Sequence, residues 1–233
     1  MGPGGLQSAA LVISECQMGI LDPAASVAPA LAAQAAERGI VARIAELAGA
    51  FRAAGLPVVH CHIAHRPDLA GVRPNSLPGA LAIKHRTLIA GTTDTLPPPE
   101  LTPRPGDHVS TRATGLTAFY GTDLDATLRL RNVETIVLTG VSTDVAIPGL
   151  ALEAVNRGYY VRIPADCVAG TSARSHECMM GGLLPAIARV IDAAAVLASL
   201  AQLAEQGEHA HDPTRLPGTA GRDRGIRGVL DGR

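Results

Sequence analysis

A three-layer α/β/α fold, Rossmann-like, with a central and mostly parallel sheet, is what this 233-residue sequence predicts. Short apolar runs alternate with amphipathic stretches along the chain. The runs are continuously apolar, which suits strands covered on both faces. At 47% hydrophobic and 18% charged residues, the chain also has enough apolar surface for a sizeable core. Strand–helix alternation then implies parallel strands, right-handed crossovers and helices on both sides.

The elements follow in order. Ala9 to Ser14 is an apolar run that turns polar at Glu15 and Gln17, and it reads as the first strand. Ile40, Ile44, Leu47, Ala48 and Phe51 recur at helical spacing, with Arg43, Glu46 and Arg52 off that stripe. Gly55 closes this helix, and Pro57 to Ile63 is the next strand. From Arg66 to Pro105 recurrent Pro and Gly give a long excursion with one short helix near Leu77 to Ile83. Asp107 to Arg112 is a strand, and Thr122-Asp123-Leu124-Asp125 opens a helix as a capping box. Strands at Val133 to Leu138, Tyr159 to Ile163 and Ala188 to Ile191 then alternate with helices at Ser142 to Asn156, Ser172 to Leu184 and Ala194 to Ala204. The expected organisation is a flexible N-terminus over 1–8, one domain over 9–206 and a flexible tail over 207–233.

Charge excludes some functions. Lys plus Arg (20) nearly balances Asp plus Glu (21), so no bulk field favours nucleic acid or an anionic membrane. No apolar run is long enough for a membrane helix, and Met1 to Gly5 lacks the features of a secretory signal. Cys16, Cys61, Cys167 and Cys178 form no CxxC pair, and reduced thiols in a cytoplasmic protein are the expectation.

In an open parallel sheet, ligands bind beyond the carboxyl ends of the strands. That rule nominates Glu15 and Gln17, then His60 and His62, then Arg112, then the turn Gly140-Val141-Ser142-Thr143-Asp144. Amides opening the helix after that turn would direct partial positive charge into the same space.

Three segments carry a resemblance. Ala10 to Gln17 (ALVISECQ) is similar to the opening strand of the isochorismatase-like cysteine hydrolases, which ends in Asp-x-Gln. Thr117 to Leu124 resembles their Ser-Ala-Phe-x-Gly-Thr-x-Leu segment, and Val137 to Ala146, continuing to Ala154 and Tyr159, resembles their strand, turn and nucleophile-bearing helix start. The resemblance spans Ala9 to Ala204 and implies the same α/β fold and a dimer or tetramer, to which the 66–105 excursion could contribute an interface. It also implies a non-proline cis peptide, here Val141–Ser142, and an oxyanion pocket from the amides of Ser142 and Ala146.

The family triad of Asp, Lys and Cys hydrolyses small amides and related C–N bonds. In this sequence the matching positions hold Glu15, Arg112 and Ala146, while the only lysine, Lys84, lies far from the motif. An alanine cannot attack a carbonyl, so covalent catalysis through that position is lost. Cys16 and Cys61 are adjacent in sequence to candidate site residues, but alternation along a strand turns each toward the opposite face. Isochorismatases of the family cleave a vinyl ether without needing the thiol, and that chemistry needs a carboxyl of raised proton affinity. Glu15 suits it as general acid/base. Arg112 holds its proton but can clamp a substrate carboxylate with two parallel bonds.

The expected function is therefore thiol-independent hydrolysis of a small organic acid or biosynthetic intermediate at an enol-ether or related C–O or C–N bond. Two alternatives stand beside it: a pseudoenzyme that binds a metabolite or partner, and a ring-opening or rearrangement enzyme using the same carboxylate. The substrate-binding set is Gln17, His60, His62, Phe119, Ser142 and Ala146, with Phe119 resembling the family's aromatic pocket wall. No cofactor is expected. No metal is expected either, because His60, His62 and His65 do not align with the Asp-x-His ligands of the family's nicotinamidases. Asp144 reads as a charge favoured by the helix dipole, and His176, Cys178, Met179 and Met180 as packing residues.

Overall fold

The computed structural model describes residues 5–210. Its centre is a seven-stranded parallel sheet in the order β3-β2-β1-β4-β5-β7, with β6 paired to β4. The strands are β1 (Ala9–Ser14), β2 (Val58–Ile63), β3 (His108–Arg112), β4 (Thr135–Val141), β5 (Tyr160–Pro164), β6 (Val168–Ala169) and β7 (Arg189–Ile191). Every residue of β1 and β4 is buried, as suits strands that are largely apolar, with Ser14, Thr135 and Thr139 buried among them. The chain winds from β1 outward to β2 and β3, then returns to the other side of β1 as β4. The direction of winding reverses at that point, which opens a crevice beyond the ends of β1 and β4.

The helices are α1 (Met18–Leu21), α2 (Pro29–Glu37), α3 (Ile40–Ala53), α4 (Leu77–His85), α5 (Leu124–Leu130), α6 (Ala146–Asn156), α7 (Ala173–Gly181), α8 (Leu183–Ile187) and α9 (Ala193–Ala210). Two cores flank the sheet. Leu11 and Ile13 pack with the α3 stripe Ile40, Ile44, Leu47 and Phe51 and with Val196 and Leu200 of α9. Ala10 and Val12 pack with Leu124 and Leu128 of α5 and Ile147, Leu150 and Ala151 of α6. Burying a side chain such as Phe51 contributes on the order of 2–3 kcal/mol. Among the described residues no helix is long and apolar enough to cross a membrane, and all four cysteines are free thiols.

Several elements differ from expectation. The predicted helix 172–184 is two, α7 and α8, broken at Gly182 (φ −113°, ψ −88°). Helix α6 starts at Ala146 because residues 142–145 form a separate turn. The capping box at Thr122 does not form. Asp125 instead accepts bonds from the Tyr159 hydroxyl (2.8 Å) and Arg129 Nε (3.1 Å), leaving Thr122 Oγ1 to accept from the Leu124 amide (3.3 Å). Helix α9 continues past Ala204 to Ala210, and the expected tail beyond it, like residues 1–4, lies outside the described residues.

Candidate active site

Beyond the carboxyl ends of the strands, Glu15 and Arg112 come together. Glu15 follows β1 with φ 55°, a left-handed conformation, while its amide donates to the Cys61 carbonyl at 2.9 Å. Arg112 ends β3, and its Nη2 donates to Glu15 Oε1. Its Nη1 donates to the Gly115 carbonyl at 2.7 Å. Gly115 (φ 80°) must be glycine, since a Cβ there would lie 2.5 Å from the Tyr120 ring. The pair is largely sequestered, with side-chain exposures of 6% for Arg112 and 13% for Glu15. Burial pushes the Glu15 carboxyl above the ordinary carboxylate value. The Arg112 guanidinium, by charge and hydrogen bond, pulls against it, and His65 does so more weakly.

The turn after β4 lies beside this pair. Ser14 Oγ donates to the Val141 carbonyl at 3.2 Å. Gly140 (φ 101°) lets the two strand ends meet, because a Cβ would fall 2.2 Å from the Ser14 carbonyl oxygen. The Val141–Ser142 bond is cis, as the resemblance implied. The Thr143 amide donates to Ala169, and the Val145 and Ile147 amides to the Ser142 carbonyl. Among the described residues the amides of Ser142 and Ala146 have no acceptor.

Known proteins resemble this chain in sequence and fold. Residues 9–195 match the family described as isochorismatase domain. The chain belongs to the isochorismatase family. Over 202 residues it is 30% identical to the isochorismatase family protein YecD of Escherichia coli O157:H7, covering 83% of this chain and 97% of that one. It is also 30% identical over 174 residues to the ureidoacrylate amidohydrolase RutB of Methylobacterium radiotolerans, covering 69% of this chain and 67% of that protein. Among solved structures, an isochorismatase family protein from Desulfovibrio vulgaris superposes with a TM-score of 0.72 at 26% identity, over 83% of this chain and 98% of that one.

Within this isochorismatase-family hydrolase, four residues expected to bind substrate are occupied elsewhere. Gln17 is fully buried, and both its amide hydrogens are taken, by the Ile63 and Thr95 carbonyls at 2.8 Å each. Its Oε1 accepts from the Ile63 amide at 2.7 Å, so it splices β1, β2 and the excursion together.

His60 and His62 occupy the wrong face of the sheet. The register pairs Cys61 with Ser110 and Ile63 with Arg112, so these point one way while His60 and His62 point the other. His60 is held at Nε2 by Asp107 (3.3 Å), which also takes both prongs of Arg52 from α3 at 3.0 and 2.7 Å. His62 sits edge-on to it, with ring centroids 5.9 Å apart. Phe119 stacks on Tyr159 at 6.2 Å with the Arg157 guanidinium 4.5 Å from its ring, near the far end of α6 from Ala146. Its ring is core, not pocket wall.

Cys61, not its neighbouring histidines, shares a face with Arg112. Its thiol is 3% exposed, and burial pushes it up to about 12, so it stays protonated at neutral pH. Burial raises Cys16 as well, and Cys167 to about 12. Cys178 is exposed rather than packed. Asp144 accepts from the Thr171 amide at 2.6 Å, joining the turn after β4 to the segment before α7. Buried His176 faces Thr143 Oγ1 at 3.3 Å and so backs the same turn. Among the described residues no three His, Cys, Asp or Glu side chains gather to hold a metal ion.

Burial pushes His60, His62 and His176 below the usual histidine value, with His62 at about 4. In the unfolded chain each takes a proton near pH ~6.5. The unfolded state therefore binds more protons below that pH, and stability falls on acidification. We expect the contribution of these groups to be intact above ~6.5 and lost as pH drops toward about 4. A Tm series across that window checks the sign, and a Tm rising with acid would contradict it.

Proposed function

We propose that this chain hydrolyses a small organic acid at an enol-ether or related C–O or C–N bond without a sulfur nucleophile. The observation that supports the reading best is the sequestered Glu15–Arg112 pair beside two unclaimed amides. In this reading a protonated Glu15 delivers its proton to the substrate carbon or leaving heteroatom. Water adds to the resulting cation or carbonyl, and the proton it releases returns to the Glu15 carboxylate. Arg112 spends two of its five N–H groups on Glu15 and Gly115. The remaining three would hold a substrate carboxylate and set its distance from Glu15. The amides of Ser142 and Ala146 would stabilise developing oxyanion charge. With Ala146 at the helix start and Cys61 protonated, no thiolate is at hand for an acyl-enzyme route.

The test is turnover by the purified chain of a panel containing carboxylated enol ethers, ureidoacrylate and maleamate, run in ¹⁸O-labelled water. The expected result is one labelled oxygen in the product of at least one carboxylated substrate, with the decarboxylated analogue poorer through KM. Product without label would indicate ring opening or rearrangement. Binding without product across the panel would indicate a protein that has kept the fold and lost the reaction. We further propose a cytoplasmic homodimer or homotetramer, built in part on the 66–105 excursion, which light scattering on the purified chain would detect.

A further inference from the structure

One buried imidazole lies against the site and has no part in the chemistry above. Strand β2 continues its pairing past Ile63, since the Ala64 amide donates to the Arg112 carbonyl at 2.9 Å. His65 is two residues beyond Ile63, so its side chain falls on the face that Arg112 occupies. It is 7% exposed. Its backbone is fixed at both ends, donating to the Leu88 carbonyl at 2.7 Å and accepting from the Ala90 amide at 2.8 Å. Its Nδ1 lies 2.8 Å from the Ala113 carbonyl oxygen. A carbonyl only accepts, so Nδ1 carries the proton and Nε2 keeps the lone pair in the neutral ring.

Ala113 directly follows Arg112, and the Arg112 guanidinium grips the same turn at Gly115. The turn is thus pinned twice, by His65 at Ala113 and by Arg112 at Gly115. We propose that His65 is a positioning residue whose Nδ1–H clamp on Ala113 fixes the exit of β3 and thereby the reach of Arg112 to Glu15. The inference rests on the reading of Glu15 and Arg112 as the working pair. Charge on Arg112 and, when its ring is protonated, on His65 draws the Glu15 carboxyl downward, consistent with both lying close to it. Loss of the clamp frees the turn, weakens the Arg112–Glu15 contact and lets burial raise Glu15 further.

The experiment is a ¹³C-carboxyl NMR titration of Glu15 in the full chain, with the resonance assigned by its disappearance in Glu15→Gln. Two variants are compared: His65→Leu, which removes the Nδ1 donor, and His65→Asn, whose side-chain amide can replace it. The expected result is a higher Glu15 midpoint in His65→Leu and a return toward wild type in His65→Asn. On any substrate turned over in the panel, kcat/KM should follow, falling about 10-fold or more in His65→Leu and recovering in His65→Asn. An unchanged midpoint in folded His65→Leu, or equal displacement in both variants, overturns the proposal. Should His65→Leu not fold, His65→Ala, which also lacks the donor, takes its place in the comparison: a raised midpoint supports the clamp and an unchanged one refutes it. The titration needs no substrate, so a failed clamp is told apart from a failed assignment of the reaction.

Discussion

Glu15→Gln abolishes turnover while the chain stays folded. The glutamine Oε1 still accepts from Arg112 Nη2, so the guanidinium keeps a partner and the local geometry holds. Exchanging a charged acceptor for a neutral one costs about 1–3 kcal/mol of stability, which an α/β domain with two well-filled cores tolerates. What disappears is the ionisable proton, and general acid–base catalysis is worth about 10²–10⁴-fold. Steady-state kinetics and a thermal melt on one preparation check both halves. Glu15→Asp, which restores a carboxyl one methylene shorter, should recover part of the rate. Unaltered kcat in Glu15→Gln would remove this side chain from the mechanism.

Arg112→Leu has the second largest expected effect, and it acts differently. The substitution leaves Glu15 buried without its counter-ion, and breaking such a pair costs about 3–5 kcal/mol when the charge persists. Burial already favours the neutral carboxyl, so Glu15 relieves part of that cost by keeping its proton. The alkaline limb of the pH–rate profile, where Glu15 loses the proton it must deliver, should therefore move to higher pH. Losing a charge-assisted bond to a substrate carboxylate is worth about 1.5–3 kcal/mol, or about 10–100-fold in KM. Arg112→Lys keeps the charge and loses the fork, so it should restore stability better than it restores KM. A variant with normal KM and a lowered kcat would assign Arg112 to the chemical step instead of to binding.

The centre of the sheet was legible in the sequence because its strands are largely apolar runs. Ala9–Ser14 shows this best, since every residue is buried and polarity begins at once with Glu15. The α3 stripe was legible for the same reason. Helix α2 was not, because PALAAQAAE offers little contrast between its faces, and α1 is a single turn. Glu15 and Arg112 could be paired because the carboxyl-end rule depends only on where strands stop.

His60 and His62 were misplaced for a definite physical cause. Which face of β2 meets the site depends on its register with β3, and a one-residue slip exchanges the faces. Nothing in the residues themselves reveals that register. Gln17 and Phe119 illustrate a second limit, since a polar or aromatic side chain beside a motif can be consumed by local backbone or by the core. Arg52 and Asp107 are 55 positions apart, and only the fold shows that they jointly hold His60.

The most direct measurement is made on a chain without sulfur at any cysteine, carrying Cys16→Ala, Cys61→Ala, Cys167→Ala and Cys178→Ala together. On the substrate turned over in the panel, this folded variant should keep kcat within a few fold of wild type, and adding Glu15→Gln should remove it. Loss of turnover in the folded cysteine-free chain, with recovery when Cys61 alone is restored, would contradict the account and assign the reaction to a thiol.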